Sequence, residues 1–261
     1  AKKVDATYGL LKNTSTAIIE IAQASGLTLV PTELRNPLYT TTYGVGEIIK
    51  EAINKGYRNF IVGIGGSATN DAGIGMLQAL GFEFYDKNNK LVGLGGKVLN
   101  EIRHIKIENR LKELDECKFK IACDVNNPLF GKNGAAYIYG SQKGATSEII
   151  EELDNGLRNF SKVVKIYLSK DVANVEGAGA AGGLGFAFLA FLNSKLESGI
   201  KIILEEIKLE EELKDADFVI TGEGRLDNQT AMGKAPIGVA KLAKKYGVKV
   251  IGLAGATTED A

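Results

Sequence analysis

The chain has 261 residues, 44% hydrophobic and 25% charged, which suits a globular protein able to bury a core without disulfides or a structural metal. Its 32 basic and 32 acidic side chains cancel, leaving no electrostatic footprint for nucleic acid or an anionic membrane. Two cysteines and a single histidine exclude a disulfide framework and a Cys/His zinc cluster; with no signal-peptide pattern at the start, a reducing, cytoplasmic location is expected.

In chain order, Thr14–Ala22 alternates β-branched and apolar residues and predicts a strand. Pro31 and Pro37 bracket a loop. Thr40–Thr42 offer N-caps for a helix over Val45–Lys55, which Gly56 closes. The apolar run Asn59–Ile64 predicts a buried parallel strand that feeds the glycine-rich segment 63–75, and Asp71–Leu80 predicts a helix stopped by Gly81. The rhythm recurs: a strand over Lys118–Cys123, a long amphipathic helix over Ser147–Ser169 with Glu148, Glu151 and Glu152 at its start, and an apolar helix over Leu184–Leu192. A charged helix over Glu205–Lys214 follows. A strand over Phe218–Thr221, a helix over Pro236–Tyr246 and a strand over Val248–Leu253 then make a βαβ unit. The fold class is α/β, with Rossmann- or flavodoxin-like parallel-sheet elements.

The unusual quantity is glycine, 32 residues, about 12% against a typical ~7%. The glycines cluster at the ends of apolar runs, where backbone must turn sharply or approach a ligand. In 63–75 (GIGGSATNDAGIG), Gly65 and Gly66 offer backbone N–H groups to an anion, Ser67, Thr69 and Asn70 add neutral donors, and Asp71 is either a cap or a catalytic carboxylate. In 221–234 (TGEGRLDNQTAMGK), Gly222 and Gly224 flank a polar turn. There Glu223 and Asp227 can hold Mg²⁺, while Arg225 and Lys234 can neutralise a phosphoryl group. Asp124, closing an apolar strand in ACDVNNP, is a turn-forming residue or a base. The literal G-x-G-x-x-G at 177–182 follows a poor strand and is a weak dinucleotide signal. His104 has no motif around it and reads as a surface or structural residue.

Together these segments resemble the bacterial class I glycerate kinase family. The likeness is carried by NPLYTTTYGVGE (36–47), VGIGGSATNDAGIGMLQALG (62–81), ACDVNNPLFGKNGA (122–135), YGSQKGAT (139–146), GAGAAGGLG (177–185) and VITGEGRLDNQT followed by GKAP (219–236). The resemblance implies phosphorylation of D-glycerate by ATP and Mg²⁺ to 2-phosphoglycerate. It also implies a two-lobed architecture, one lobe inserted and one discontinuous. On that pattern 1–214 is the inserted α/β domain and 215–261 part of the discontinuous one. The family's APDS-type and DGGEG-type loops do not occur here, so the chain is expected to be truncated at both ends and to hold part of the site.

The roles that follow are Asp71 or Asp124 as the base for the substrate hydroxyl, Arg225 and Lys234 on phosphate charge, and Glu223 and Asp227 on Mg²⁺. Ser67, Asn70 and the backbones of Gly65, Gly66, Gly222 and Gly224 are assigned to phosphate or the glycerate carboxylate. Expected partners are a small-molecule substrate and, in the assembly, a homodimer mate, with neither nucleic acid nor membrane. The alternatives are a nucleotide- or dinucleotide-binding module without kinase activity, or an inactive folded fragment of the kinase.

Overall fold

The computed structural model describes residues 2–226 and 235–257. The chain divides into two compact units, Ala1–Leu196 and Glu197–Ala261.

The first unit is built on a five-stranded sheet in the order β1 (Gly9–Leu11), β2 (Thr16–Glu20), β3 (Asn59–Gly63), β6 (Lys118–Ala122), β7 (Ser194–Glu197). Strands β2, β3 and β6 run parallel in one register, with Ala17 beside Phe60 beside Phe119 and Ile19 beside Val62 beside Ile121. These alternate residues are all buried. The intervening ones are less so, so each strand buries one face fully rather than both, and the period of two decides the register. Phe60 and Phe119 stack across β3 and β6 with ring centroids 4.7 Å apart.

A small antiparallel pair, β4 (Glu83–Tyr85) and β5 (His104–Lys106), accompanies the main sheet. The helices are α1 (Ala22–Ser25), α2 (Tyr43–Asn54), α3 (Ile74–Ala79), α4 (Ala135–Tyr139), α5 (Ser147–Leu168) and α6 (Ala180–Phe191). Helix α5 starts where Thr146 accepts a hydrogen bond from Ile149 N, a cap followed by Glu148 in the first turn. Helix α6 is apolar on all sides because it is buried on all sides. Its Phe188 meets Phe119 of the sheet and its Phe186 meets Phe160 of α5. His104, on β5, hydrogen-bonds through Nδ1 to the Tyr167 hydroxyl of α5.

The second unit contains α7 (Gly199–Glu206), α8 (Leu209–Glu212), β8 (Phe218–Leu226), a helix over Ala235–Lys245, and β9 (Lys249–Thr257) parallel to β8. This is the βαβ unit that the sequence predicts. The single helix expected over Glu205–Lys214 is instead broken at Lys208, which takes a left-handed conformation (φ +54°). An unbroken helix would stack Glu206 and Glu210 at i,i+4, where like charges repel. The break lets Glu210 pair with Lys245 at 2.5 Å.

Candidate functional site

Strand β3 delivers the chain to the carboxyl edge of the parallel sheet, where ligands of open α/β sheets bind. The segment that follows has two halves. At its tip Gly65 and Gly66 are exposed. A Cβ added at Gly65 would meet nothing within 4 Å, and at Gly66 only the Ala22 methyl at 3.7 Å. Beyond them the chain turns inward: Ser67 and Thr69 are buried, and Asn70 and Asp71 are 0% exposed. The tip thus presents open backbone of the kind an anion can approach, backed by a polar interior.

The inward half is held by the other glycine clusters. Gly182 lies so close that a Cβ there would fall 2.0 Å from the Thr69 carbonyl oxygen and 2.6 Å from Asn70 Cα. On the other side, a Cβ at Gly96 would meet the Asn70 carbonyl oxygen at 2.6 Å. Ala72 N donates to Gly182 O at 3.0 Å. Ala181, Gly182 and Gly183 all have positive φ, and regular helix follows them, as the expected start at Leu184 requires. The G-x-G-x-x-G match at 177–182 is therefore a packing segment: no strand leads directly into it, Gly179 and Gly182 abut the backbone of Pro128 and Thr69, and Gly177 abuts the Cys123 and Leu196 side chains.

Asp71 accepts hydrogen bonds at Oδ2 from Thr42 N (2.8 Å), Thr42 Oγ1 (3.0 Å) and Thr41 Oγ1 (3.3 Å), and at Oδ1 from Gly73 N (3.1 Å). Burial pushes its pKa up against these donors. The carboxylate ties the start of α2 to the loop. Thr42 accepts in turn from Met76 N at 2.9 Å, so its hydroxyl bridges α2 and α3 rather than capping its own helix.

The residue that sequence reasoning passed over is Lys143. It lies in YGSQKGAT, a segment recognised as a motif but given no role. The turn Ser141–Lys143 is fixed by Gly144, whose φ is +87° and whose hypothetical Cβ would sit 2.2 Å from Arg35 O. Lys143 is 2% exposed; its Nζ donates to Ser67 Oγ at 2.9 Å and to the Thr69 carbonyl at 2.6 Å. Burial lowers its pKa to about 7, with the Asp71 charge opposing the shift. In the same loop, Asn70 Oδ1, Asn70 Nδ2 and Thr69 Oγ1 are buried with no hydrogen-bond partner among the described residues, unusual for a native interior.

The depressed lysine makes stability pH-dependent. Between its folded value near 7 and its unfolded value of 10.5, the unfolded chain holds a proton that the native protein does not. This contribution is therefore fully present above about pH 10.5 and is lost as pH falls toward 7. Urea unfolding of the wild type should gain a few kcal/mol from pH 7 to pH 10, relative to a Lys143→Met protein, in which that slope is absent. Parallel curves for the two proteins would show that Lys143 is charged throughout.

Asp124 follows β6, the strand beside β3, and is exposed. Since Gly63 and Ala122 are register partners, Asp124 and the Gly65–Gly66 tip leave the same sheet edge from adjacent parallel strands. In the second unit, the polar turn expected from Thr221 onward is strand as far as Leu226, because β8 continues in register with β9, Glu223 beside Ala254 and Arg225 beside Ala256. Arg225 is exposed and Glu223 half-buried. A Cβ at Gly222 would meet Leu253 O at 2.5 Å, while Gly224 has open space. Asp227 and Lys234 lie outside the described residues. Among the described residues no group of three or more His, Cys, Asp or Glu side chains gathers to hold a metal, and no helix is long and apolar enough to cross a membrane.

The family model "Glycerate kinase family" matches residues 1–261. Glycerate 2-kinase of Escherichia coli (strain K12) is 52% identical over 259 residues, covering 99% of this chain and 68% of that protein. Glycerate kinase of Bacillus subtilis (strain 168) is 48% identical over 257 residues, covering 98% and 67%. The crystal structure of a putative glycerate kinase 2 from Salmonella typhimurium LT2 superposes with a TM-score of 0.91 at 47% identity, over 97% of this chain and 70% of that one. The chain thus spans about two thirds of the length of these relatives.

Proposed function

The chain belongs to the glycerate kinase family, and from that premise we propose that it transfers the γ-phosphoryl group of ATP to a hydroxyl of D-glycerate, giving 2-phosphoglycerate. The observation that carries the reading is the open Gly65–Gly66 tip beside Asp124 at one edge of the parallel sheet. Phosphoryl transfer asks a protein for position and charge rather than covalent chemistry. Backbone N–H groups at the tip, with Ser67 behind them, bind an anionic group, either a phosphate or the glycerate carboxylate. Asp124 is exposed at the sheet edge and accepts the proton of the attacking hydroxyl; Asp71, its carboxylate fully engaged, holds the loop in shape. Asn70, with its amide unpartnered, joins the anion site once a ligand is present.

Arg225 and Lys234 are assigned to the phosphate charge, with Gly222 and Gly224 allowing backbone approach. Glu223 and Asp227 are the carboxylates assigned to Mg²⁺. Glu223, in the later half of β8, offers the hard oxygen donors this ion takes, and Mg²⁺ typically needs one or two protein carboxylates beside phosphate oxygens. When bound, it would neutralise charge developing on the transferred group. In this reading 1–214 is the family's inserted lobe and 215–261 part of its discontinuous lobe. The protein acts in the cytoplasm, as a homodimer.

The test is phosphorus NMR of the purified protein with MgATP and D-glycerate. The 2-phosphoglycerate resonance should grow with turnover and depend on the metal. A 3-phosphoglycerate product would overturn the regiochemistry. No phosphorylated product, with metal-independent NAD binding, would favour a dinucleotide-binding module.

A further inference from the structure

Among buried groups in the first unit that this reaction does not yet use, Lys143 is the one whose contacts all lead to the loop. Its two hydrogen bonds go to Ser67 and Thr69, and the unpartnered Asn70 amide and Thr69 hydroxyl belong to the same stretch. A lysine that merely filled space would cost less as methionine, since burying an ammonium is expensive unless it is used. Nζ donates to Ser67 Oγ, so the Ser67 proton cannot point back at Nζ. No described residue accepts it.

We propose that Lys143 is a positioning residue for the anion loop: its ammonium orients the Ser67 hydroxyl as a donor toward the bound anion and adds a buried positive charge behind it. The inference rests on reading 65–71 as an anion loop. It adds protonation control, because loss of the ammonium's proton frees a lone pair that Ser67 can donate to instead, and removes the charge. The charged group whose field reaches Lys143 is Asp71, from the loop itself. Arg35, whose backbone packs on Gly144, directs its Nε to Val30 O at 3.3 Å. Anion affinity should therefore fall as pH rises through about 7.

Sulfate is the suitable probe, since its charge is constant over this range whereas phosphate titrates within it. Calorimetry of the wild-type protein should show sulfate affinity dropping about tenfold from pH 6 to pH 8, the scale of a lost charge-assisted hydrogen bond. Lys143→Met should bind about tenfold more weakly at pH 6 with a flat profile. Lys143→Gln keeps an N–H for Ser67 and should recover part of the affinity while remaining flat. Ser67→Ala should lose part of the affinity at pH 6, less than Lys143→Met because the buried charge remains, and the double variant should lose no more than Lys143→Met alone, since Ser67 acts through the lysine. Should Lys143→Met fail to fold, Ser67→Ala alone decides, because unchanged affinity and profile there would overturn the proposal. So would a wild-type profile in Lys143→Met, or a pH step that survives in it and vanishes in His104→Gln. Sulfate binding indifferent to Lys143 would overturn this inference alone. Absence of sulfate binding in the wild type would overturn the anion-loop reading with it.

Discussion

Replacing Gly182 with alanine should destabilise the first unit by about 3–5 kcal/mol, a large effect for a single methyl group. Positive φ is the smaller part of this cost: Gly182 sits at φ +69°, but Ala181 beside it tolerates φ +52°, and left-handed backbone costs an alanine roughly 1–2 kcal/mol. The larger part is space. The added carbon would fall 2.0 Å from Thr69 O, 2.6 Å from Asn70 Cα and 2.8 Å from Thr69 C. All three are backbone atoms of a buried stretch and cannot swing aside as a side-chain tip would. Gly56→Ala is the control, since φ there is +92° with nothing within 4 Å of the new Cβ, so it isolates the conformational cost. Urea denaturation should rank Gly182→Ala at least 2 kcal/mol below Gly56→Ala. Equal losses would mean that the 177–185 segment does not clasp the loop as described.

The largest kinetic effect is expected at Asp124. Asp124→Asn should lower kcat by about 10²–10⁴-fold, the usual contribution of a positioned general base. The KM for ATP and the melting temperature should stay near wild type, because the side chain is exposed at the sheet edge. Asp71→Asn should fail differently. An amide there would turn its N–H toward either Thr42 N or Gly73 N, depending on which oxygen the nitrogen replaces, where the carboxylate accepts from each. Leaving a buried donor unmatched costs about 1–3 kcal/mol, so the expected signature is a lower melting temperature, with any activity loss following the unfolded fraction. A fully stable Asp71→Asn protein with kcat down a hundredfold, beside an unimpaired Asp124→Asn, would transfer the base to Asp71.

Much of this molecule is set by local sequence. Asn59–Ile64 becomes β3 and Lys118–Cys123 becomes β6 because short apolar runs bounded by polar or glycine-rich turns can hardly do otherwise in a buried parallel sheet. Ser147–Ser169 becomes α5 because its apolar residues recur at helical spacing behind a threonine cap. The placing of Gly65 and Gly66 at a strand end was equally legible, since a parallel strand must deliver its following loop to the ligand edge. Tertiary structure alone decided which glycines stand open and which face other backbone: GIGG and GAGAAGG look alike as strings, yet Gly65 has open space and Gly182 has none. It also decided that Asp71 spends its oxygens on Thr41, Thr42 and Gly73, and that Lys143, 76 residues from Ser67, lies behind the loop. Propensity and periodicity reach only a few residues along the chain. A buried ammonium is defined by what surrounds it, and here those groups come from distant segments brought together by packing of the sheet, the glycine loops and the 141–144 turn.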